Sequence, residues 1–350
     1  MSELFRAAQR PFFALAFVAL LAFCLSATRE YAVPIAIAVL IWFLINALAG
    51  AIRRAPRLGP KVPPPVAKAI SVLVLFGATA LAARVVVANV AELGAGVQGG
   101  QEVVLAKLEG FLGRLGIEAN ITPEQVFDLL AYDALIGYAL ATAQGLLADV
   151  SLVFLYVLFL LVDERFYEAK LRALVPDDAK RNELKITLAR IGAETRLYLW
   201  LMTLISAGVA LMTYAACDAV GLSGAGFWGF VAFVLNFIPT IGSITAVVLP
   251  CVYALLTLEN PVAVFMLIGV LAATQFVAGE IVLPRLMGDR LNLSSVVILL
   301  TLVVWGAMWG PAGMFLAIPI TVIIVLICAR LPVTRPIAIA LSRDGRLPQV

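Results

Sequence analysis

Apolar residues in this chain fall in long unbroken runs, not in the alternation of a half-buried strand or the three-to-four spacing of a half-buried helix. Eight such runs lie at 12–28, 32–52, 66–90, 146–162, 198–216, 228–257, 262–283 and 294–329. Most approach or exceed the ~20 residues that carry a helix across a bilayer. The first two are joined only by Arg29-Glu30-Tyr31, which fits a transmembrane helical hairpin better than a secretory signal peptide. The pattern predicts an all-α polytopic membrane protein of about eight hydrophobic segments.

Two of the runs are interrupted near their middle. In Trp228–Pro250, Pro239 and Gly242 stand beside Asn236, Thr240 and Ser243. Proline supplies no backbone donor and collides with the preceding turn, so a continuous helix through Ile238–Gly242 is not expected. The run from Ser294 to Ala329 is too long for one untilted crossing and is broken by Trp305-Gly306-Ala307-Met308-Trp309-Gly310-Pro311-Ala312-Gly313, with Pro319 further on. Broken backbone at membrane depth is tolerated only inside protein or along a wet cavity. Paired Gly/Pro-interrupted segments are therefore a pointer to a transport site, with Gly310, Gly313 and Pro319 the counterparts of Pro239, Gly242 and Pro250. Both segments, around 228–257 and 294–329, are expected to be broken or re-entrant. Hairpins keep Arg285, Arg290 and the C-terminal arginines on one side, which single crossings do not.

The charges order the rest. Only 13% of residues are charged against 63% apolar, far from the balance of a soluble domain. Residues 1–88 carry three spans, with a loop at 53–68 that holds Arg53, Arg54, Arg57, Lys61 and Lys68 and no acid; cation excess places it in the cytoplasm. Residues 89–145 are less apolar and acidic, and are expected as an extracytoplasmic insert of two amphipathic helices, lying on the membrane or against neighbouring copies in a homo-oligomer. Thr122-Pro123-Glu124-Gln125 has the form of a helix start. Residues 146–197 give a fourth span and a charged cytoplasmic arm, where Leu184, Ile186, Leu188 and Ile191 suggest a helix on the membrane surface. Residues 198–329 form the expected transport core, and 330–350 a basic cytoplasmic tail. Both termini are thus expected inside, in a bacterial inner membrane. The basic loop lacks interleaved aromatics, so no nucleic-acid partner is expected; the partners are the bilayer and a small solute or ion.

Glu280 is the acid inside a late apolar run, in T-Q-F-V-A-G-E-I-V-L-P. Such a group costs about 2.5–3.5 kcal/mol or more unless it meets a polar cavity or a partner. It is a candidate proton or cation relay, or half of an ion pair with Arg285 or Arg290. Gln275 lies five residues earlier, too far round an α-helix to share its face, and Pro284 lies one turn later. Asn236, Thr240 and Ser243 can offer oxygens to a cation or polyol, or can satisfy the backbone that Pro239 frees. There is no histidine, and Cys24, Cys217, Cys251 and Cys328 stand singly, as small buried hydrophobes would. No metal, cofactor or catalytic residue is expected. An intramembrane hydrolase finds neither a histidine nor a Gly-x-Gly-Asp aspartate.

N-F-I-P-T-I-G-S-I with Pro250, then Gln275, Glu280 and Pro284, then W-G-P-A-G-M-F-L-A-I-P to Pro319, resemble the autoinducer-2 exporter family of permeases. The likeness is specific over the last 130 or so residues. It implies an inner-membrane bacterial transporter that exports a quorum-sensing furanone or exchanges sodium or lithium for protons. By resemblance, Phe237–Ser243 with Gln275 and Glu280 form the shared core of the site. Where members often carry His-Pro before the last segment, Ser294-Ser295 stands here, and a proton step through that histidine has no residue to use.

Overall fold

The computed structural model describes residues 2–55, 61–99, 150–287, 293–330 and 334–345. The described residues are helical almost throughout, with one isolated bridge between Leu293 and Ser342. In chain order the helices are α1 (Ser2–Ala27), α2 (Arg29–Arg54), α3 (Pro64–Gly99), α4 (150–163), α5 (Tyr167–Leu174) and α6 (Asp178–Ala219). Next come α7 (Ala225–Leu235), α8 (Ile241–Thr257), α9 (Pro261–Phe276), a π-helix (Val277–Val282), α10 (Leu283–Met287), α11 (Ser295–Arg330) and α12 (Arg335–Leu341). Among the described residues five helical stretches are long and apolar enough to cross a membrane: Arg29–Arg54, Pro64–Val85, Asp178–Ala219, Pro261–Leu286 and Ser295–Ala329. The chain is an all-α polytopic membrane protein.

Local sequence explains where helices start and stop. Asp177 caps α6, its carboxylate accepting from the Ala179 N–H at 2.9 Å and the Lys180 N–H at 3.2 Å. Asn260 caps α9 by accepting from the Val262 N–H at 2.9 Å, with Pro261 at the first helical position. After Ala219 the Gly221 N–H returns to Asp218 O and the Leu222 N–H to Cys217 O, a Schellman close.

The chain divides into two compact units. One comprises 44–151 and 196–288. Its core has two parts. Leu267 and Leu271 of α9 pack with Cys217, Trp228, Cys251 and Tyr253. A second cluster joins Ile205 and Val209 of α6 to Ala232 of α7, Ala246 of α8 and Ala278 of the π-helix. Lipid is as apolar as leucine, so close packing rather than expulsion from water holds such helices together, and the alanines let the backbones approach. The α7–α8 pair packs against α3, and α8 also against α9.

The other unit comprises 1–43, 152–195 and 289–350. Trp309 Nε1 donates to Leu25 O at 3.0 Å and ties α11 to α1. The α5 helix is held to the start of α6 by Lys185, which donates to Glu168 at 2.6 Å. Trp42 Nε1 donates to Glu164 at 3.4 Å and its ring meets Tyr167 edge-on. α12 packs on α11 and closes on its start: the Ser294 N–H donates to Leu341 O at 3.2 Å.

Two expectations are corrected. The arm around Leu184–Ile191 is not a separate surface helix: α6 runs 42 residues without a break, so arm and span are one rod, with Ile186 and Leu188 more than half exposed. No proline or glycine pair interrupts 179–197, so nothing stops the helix there. Of the cysteines, Cys217 and Cys251 are buried, but Cys24 is exposed and Cys328 half-buried. Most of the proposed insert, including Thr122–Gln125, lies outside the described residues.

Candidate functional site

Both interrupted runs reverse direction. In the first, the Asn236 N–H still reaches Ala232 O, after which the turn tightens: Phe237 N–H to Val234 O, Ile238 N–H to Leu235 O. Pro239 supplies no donor. The Ile241 N–H then donates to Pro239 O at 2.7 Å across Thr240, whose φ of 62° and ψ of −64° form a γ-turn of the strained kind. Positive φ at a β-branched residue is an outlier. At Gly242, a Cβ would overlap the Leu235 carbonyl oxygen seven residues back. The arms of 11 and 17 residues each fall short of a full crossing.

The second run is built the same way. Gly310, at φ 64° and ψ −146°, breaks α11 into two arms, and Pro311 opens the second, where a missing N–H costs nothing. A Cβ on Gly313 would overlap the Trp305 carbonyl oxygen, and the Cβ-bearing side of Gly306 faces Met314. Residues eight apart on a straight helix are separated by ~12 Å along its axis. Such contacts exist only if the chain folds back, so α11 is a hairpin. The bond from Ser294 to Leu341 agrees, since it holds the start of α11 beside the helix that follows its end. Pro319 is buried in the second arm.

Within the first unit, the hairpin tip is anchored by a residue that sequence alone does not single out. Asn236 Nδ2 donates to Ser206 Oγ of α6 at 2.9 Å, and both side chains are buried. Ser206 sits in an ordinary apolar run; only the depth of Asn236 signals that a partner must exist. Ser243 is half-buried in the first turn of α8, and Thr240 is exposed.

The Gln275–Pro284 stretch holds the main surprise. Val277–Val282 is a π-helix, in which the Leu283 N–H donates to Ala278 O, five residues back. Pro284 gives the cause: in α-register its ring meets the Glu280 carbonyl, and it has no N–H to offer. Widening the preceding turn relieves both. A π-turn advances each residue by less than the α-helical ~100°, so Gln275 and Glu280 lie closer round the axis than an α-helix puts them. The Gln275 amide oxygen is nonetheless buried and Glu280 exposed, so the two still face different surroundings. Gln275 Oε1 is buried with no donor among the described residues. Buried acceptors are nearly always paired, and an orphan calls for an explanation. One turn on, Ala278 packs into the cluster with Ala232 and Ala246, flanked by Leu235 at the hairpin tip. Glu280, Pro284 and Arg285 are exposed, and Glu280 makes no ion pair with Arg285. Arg290 lies outside the described residues. Gly310, Gly313 and Pro319 belong to the other unit.

No cluster of three or more metal-ligating side chains occurs among the described residues. Gly221-Leu222-Ser223-Gly224 has the G-x-S-G spacing of an intramembrane serine nucleophile. Here it is the closed turn between α6 and α7, and the chain has no histidine to serve as its base.

Gly/Pro-broken apolar segments in an all-α polytopic membrane protein are a feature of membrane transporters. Residues 12–332 match the AI-2E family transporter model, and the chain belongs to that family. It is 32% identical over 239 residues to the AI-2 transport protein TqsA of Escherichia coli (strain K12), an alignment covering 68% of each chain. It is 31% identical over 224 residues to YhhT of the same organism, covering 62% of this chain and 61% of that one.

Proposed function

We propose that the chain is a secondary transporter that moves a small polar solute or exchanges a monovalent cation for protons. Its site is formed by the hairpin tip, Asn236 to Ser243, with Gln275 and Glu280. The observation that carries this is the Gln275 carbonyl oxygen, buried and without a donor beside a π-helix that bears a carboxylate. A hydroxyl of a solute, or a dehydrated cation, supplies what that oxygen lacks. TqsA's designation as an AI-2 transport protein favours a hydroxylated solute; the carboxylate of Glu280 favours a cation such as sodium or lithium. Arg285 stands near Glu280 in the chain as a counter-charge, and the second hairpin, turning at Gly310 and Gly313 and stiffened by Pro319, is assigned a part in solute or ion passage. The basic loop at 53–68 orients the protein in a bacterial inner membrane with both termini cytoplasmic.

The test is flux into proteoliposomes under imposed proton and sodium gradients, comparing wild type with Glu280→Gln. Gradient-driven flux that falls at least tenfold in the variant, at equal insertion, is expected. Equal behaviour of both proteins, with no response to either gradient and no uptake of candidate solutes, overturns the proposal in favour of a membrane scaffold.

A further inference from the structure

The π-helix at Val277–Val282 holds one more residue than an α-helix of the same rise, and its two ends are anchored unequally. On its N-terminal side Ala278 is 7% exposed, packed among Ile205, Val209, Ala232 and Ala246. On its C-terminal side Pro284, Arg285 and Leu286 are exposed, and only Val282 and Leu283 lean on the cluster. In the middle, a Cβ on Gly279 would meet nothing within 4 Å, so the backbone there is free to turn. The register is set by few bonds: the Leu283 N–H reaches Ala278 O, while the next residue, Pro284, has no N–H to lock either register. Just upstream stands Gln275 Oε1, a buried acceptor that this arrangement leaves unpaired.

We propose that this stretch is a joint, which exchanges between the π-register seen here and an α-register in which the Leu283 N–H moves to Gly279 O. Each backbone donor keeps a partner one residue nearer, so no hydrogen bond is lost at the end of the exchange. With Ala278 fixed, everything beyond Val282 turns by about one residue, ~100°, and shifts by ~1.5 Å. Glu280, midway, turns by part of that. The small side chains at Ala232, Ala246 and Ala278 present little relief for the moving helix to climb over. In the α-register the Pro284 ring meets the Glu280 carbonyl, and that clash is the term which favours the π-register seen here. The joint rests on the transporter proposal only for its purpose; its existence is a property of the helix.

The experiment uses the full chain in lipid bilayers with nitroxides at two exposed positions, Phe265 on α9 and Leu286 beyond the joint, and reads their distance by pulsed electron resonance. Wild type is expected to give two distance populations, whose ratio shifts when a proton or sodium gradient is imposed. Deleting Gly279 removes the extra residue while leaving both flanks facing as they do now, and is expected to leave one population. If that variant fails to insert, Pro284→Ala, which restores an N–H and removes the ring, is expected to move at least twofold more of the ensemble into the α-register. A single narrow population in wild type under every gradient, or two populations that survive the deletion, overturns the joint. Since the readout needs no substrate, two populations without any flux count against the transporter proposal alone, and flux with one population retires the joint alone.

Discussion

At Gly242 and Gly313 the absence of a side chain is what lets each hairpin close. A Cβ at either position would overlap a main-chain carbonyl, which cannot rotate away as a flexible side chain could. Gly242→Ala and Gly313→Ala should each destabilise the protein by ~1–3 kcal/mol or more, read as a lower melting temperature in detergent. Gly269→Ala is the control: a Cβ there meets nothing within 4 Å, and helix propensity predicts a gain of up to ~1 kcal/mol. Thr240 works in the opposite sense. A threonine held at a φ of 62° carries strain of order 1–3 kcal/mol, so Thr240→Gly should raise stability by about 1 kcal/mol, and Thr240→Ala should not. Both glycines were legible in the sequence as breakers, because Gly and Pro punctuate any apolar run. What they approach was not, since the Leu235 and Trp305 carbonyls become neighbours only after the chain reverses. Ser206 was hidden for the same reason: one hydroxyl in an apolar run has no meaning until Asn236 arrives beside it.

Helices carry the next level of information, and here periodicity misleads in two places. The arm before the membrane reads as a separate amphipathic helix because its polar residues change character near Arg196, but a helix ends only where its backbone bonds end. With no proline between Asp178 and Ala219, α6 continues through Gly192 and Gly208. Conversely, the π-helix is invisible to hydropathy, which counts residues and not the carbonyls they bond. Pro284 was the available signal, and its effect lies one turn upstream. On the polar face, α5 is joined to α6 through Lys185 and Glu168. The hydrogen bond from Lys185 is the chief cause holding the Glu168 carboxyl below its ordinary 4.5, with the nearby charges of Lys185, Arg172 and Arg181 adding to it and desolvation opposing. A carboxylate with a lowered folded pKa contributes stability that is full above the unfolded value and disappears as pH falls through the folded one. The α5–α6 contact should therefore loosen below pH 4.5, seen as faster proteolysis at Val175–Asp178 by an acid-active protease. Lys185→Gln should show the fast rate already at neutral pH, with less change on acidification.

The whole chain is ordered by where its loops emerge, and hairpins fix this differently from crossings. A helix of 36 residues kept straight would place its ends ~54 Å apart, on opposite sides of any bilayer. Folded at Gly310, it returns to the side it left, and the hydrogen bond from Ser294 to Leu341 with the bridge from Leu293 to Ser342 holds the two ends there together. Between Asn260 and Leu286, by contrast, the chain makes one continuous passage, since the π-helix widens the turn without reversing it. Cysteines at Glu259 and Arg285, in a background without the native cysteines, should thus react with a membrane-impermeant maleimide from opposite faces. Cysteines at Ser295 and Arg343 should react from the same face. Labelling of Ser295 and Arg343 from opposite faces would mean that α11 crosses after all, leaving the Gly313–Trp305 contact without a cause. Agreement would make α11 a re-entrant element whose two ends share a face, as the approach of Gly313 to the Trp305 carbonyl requires.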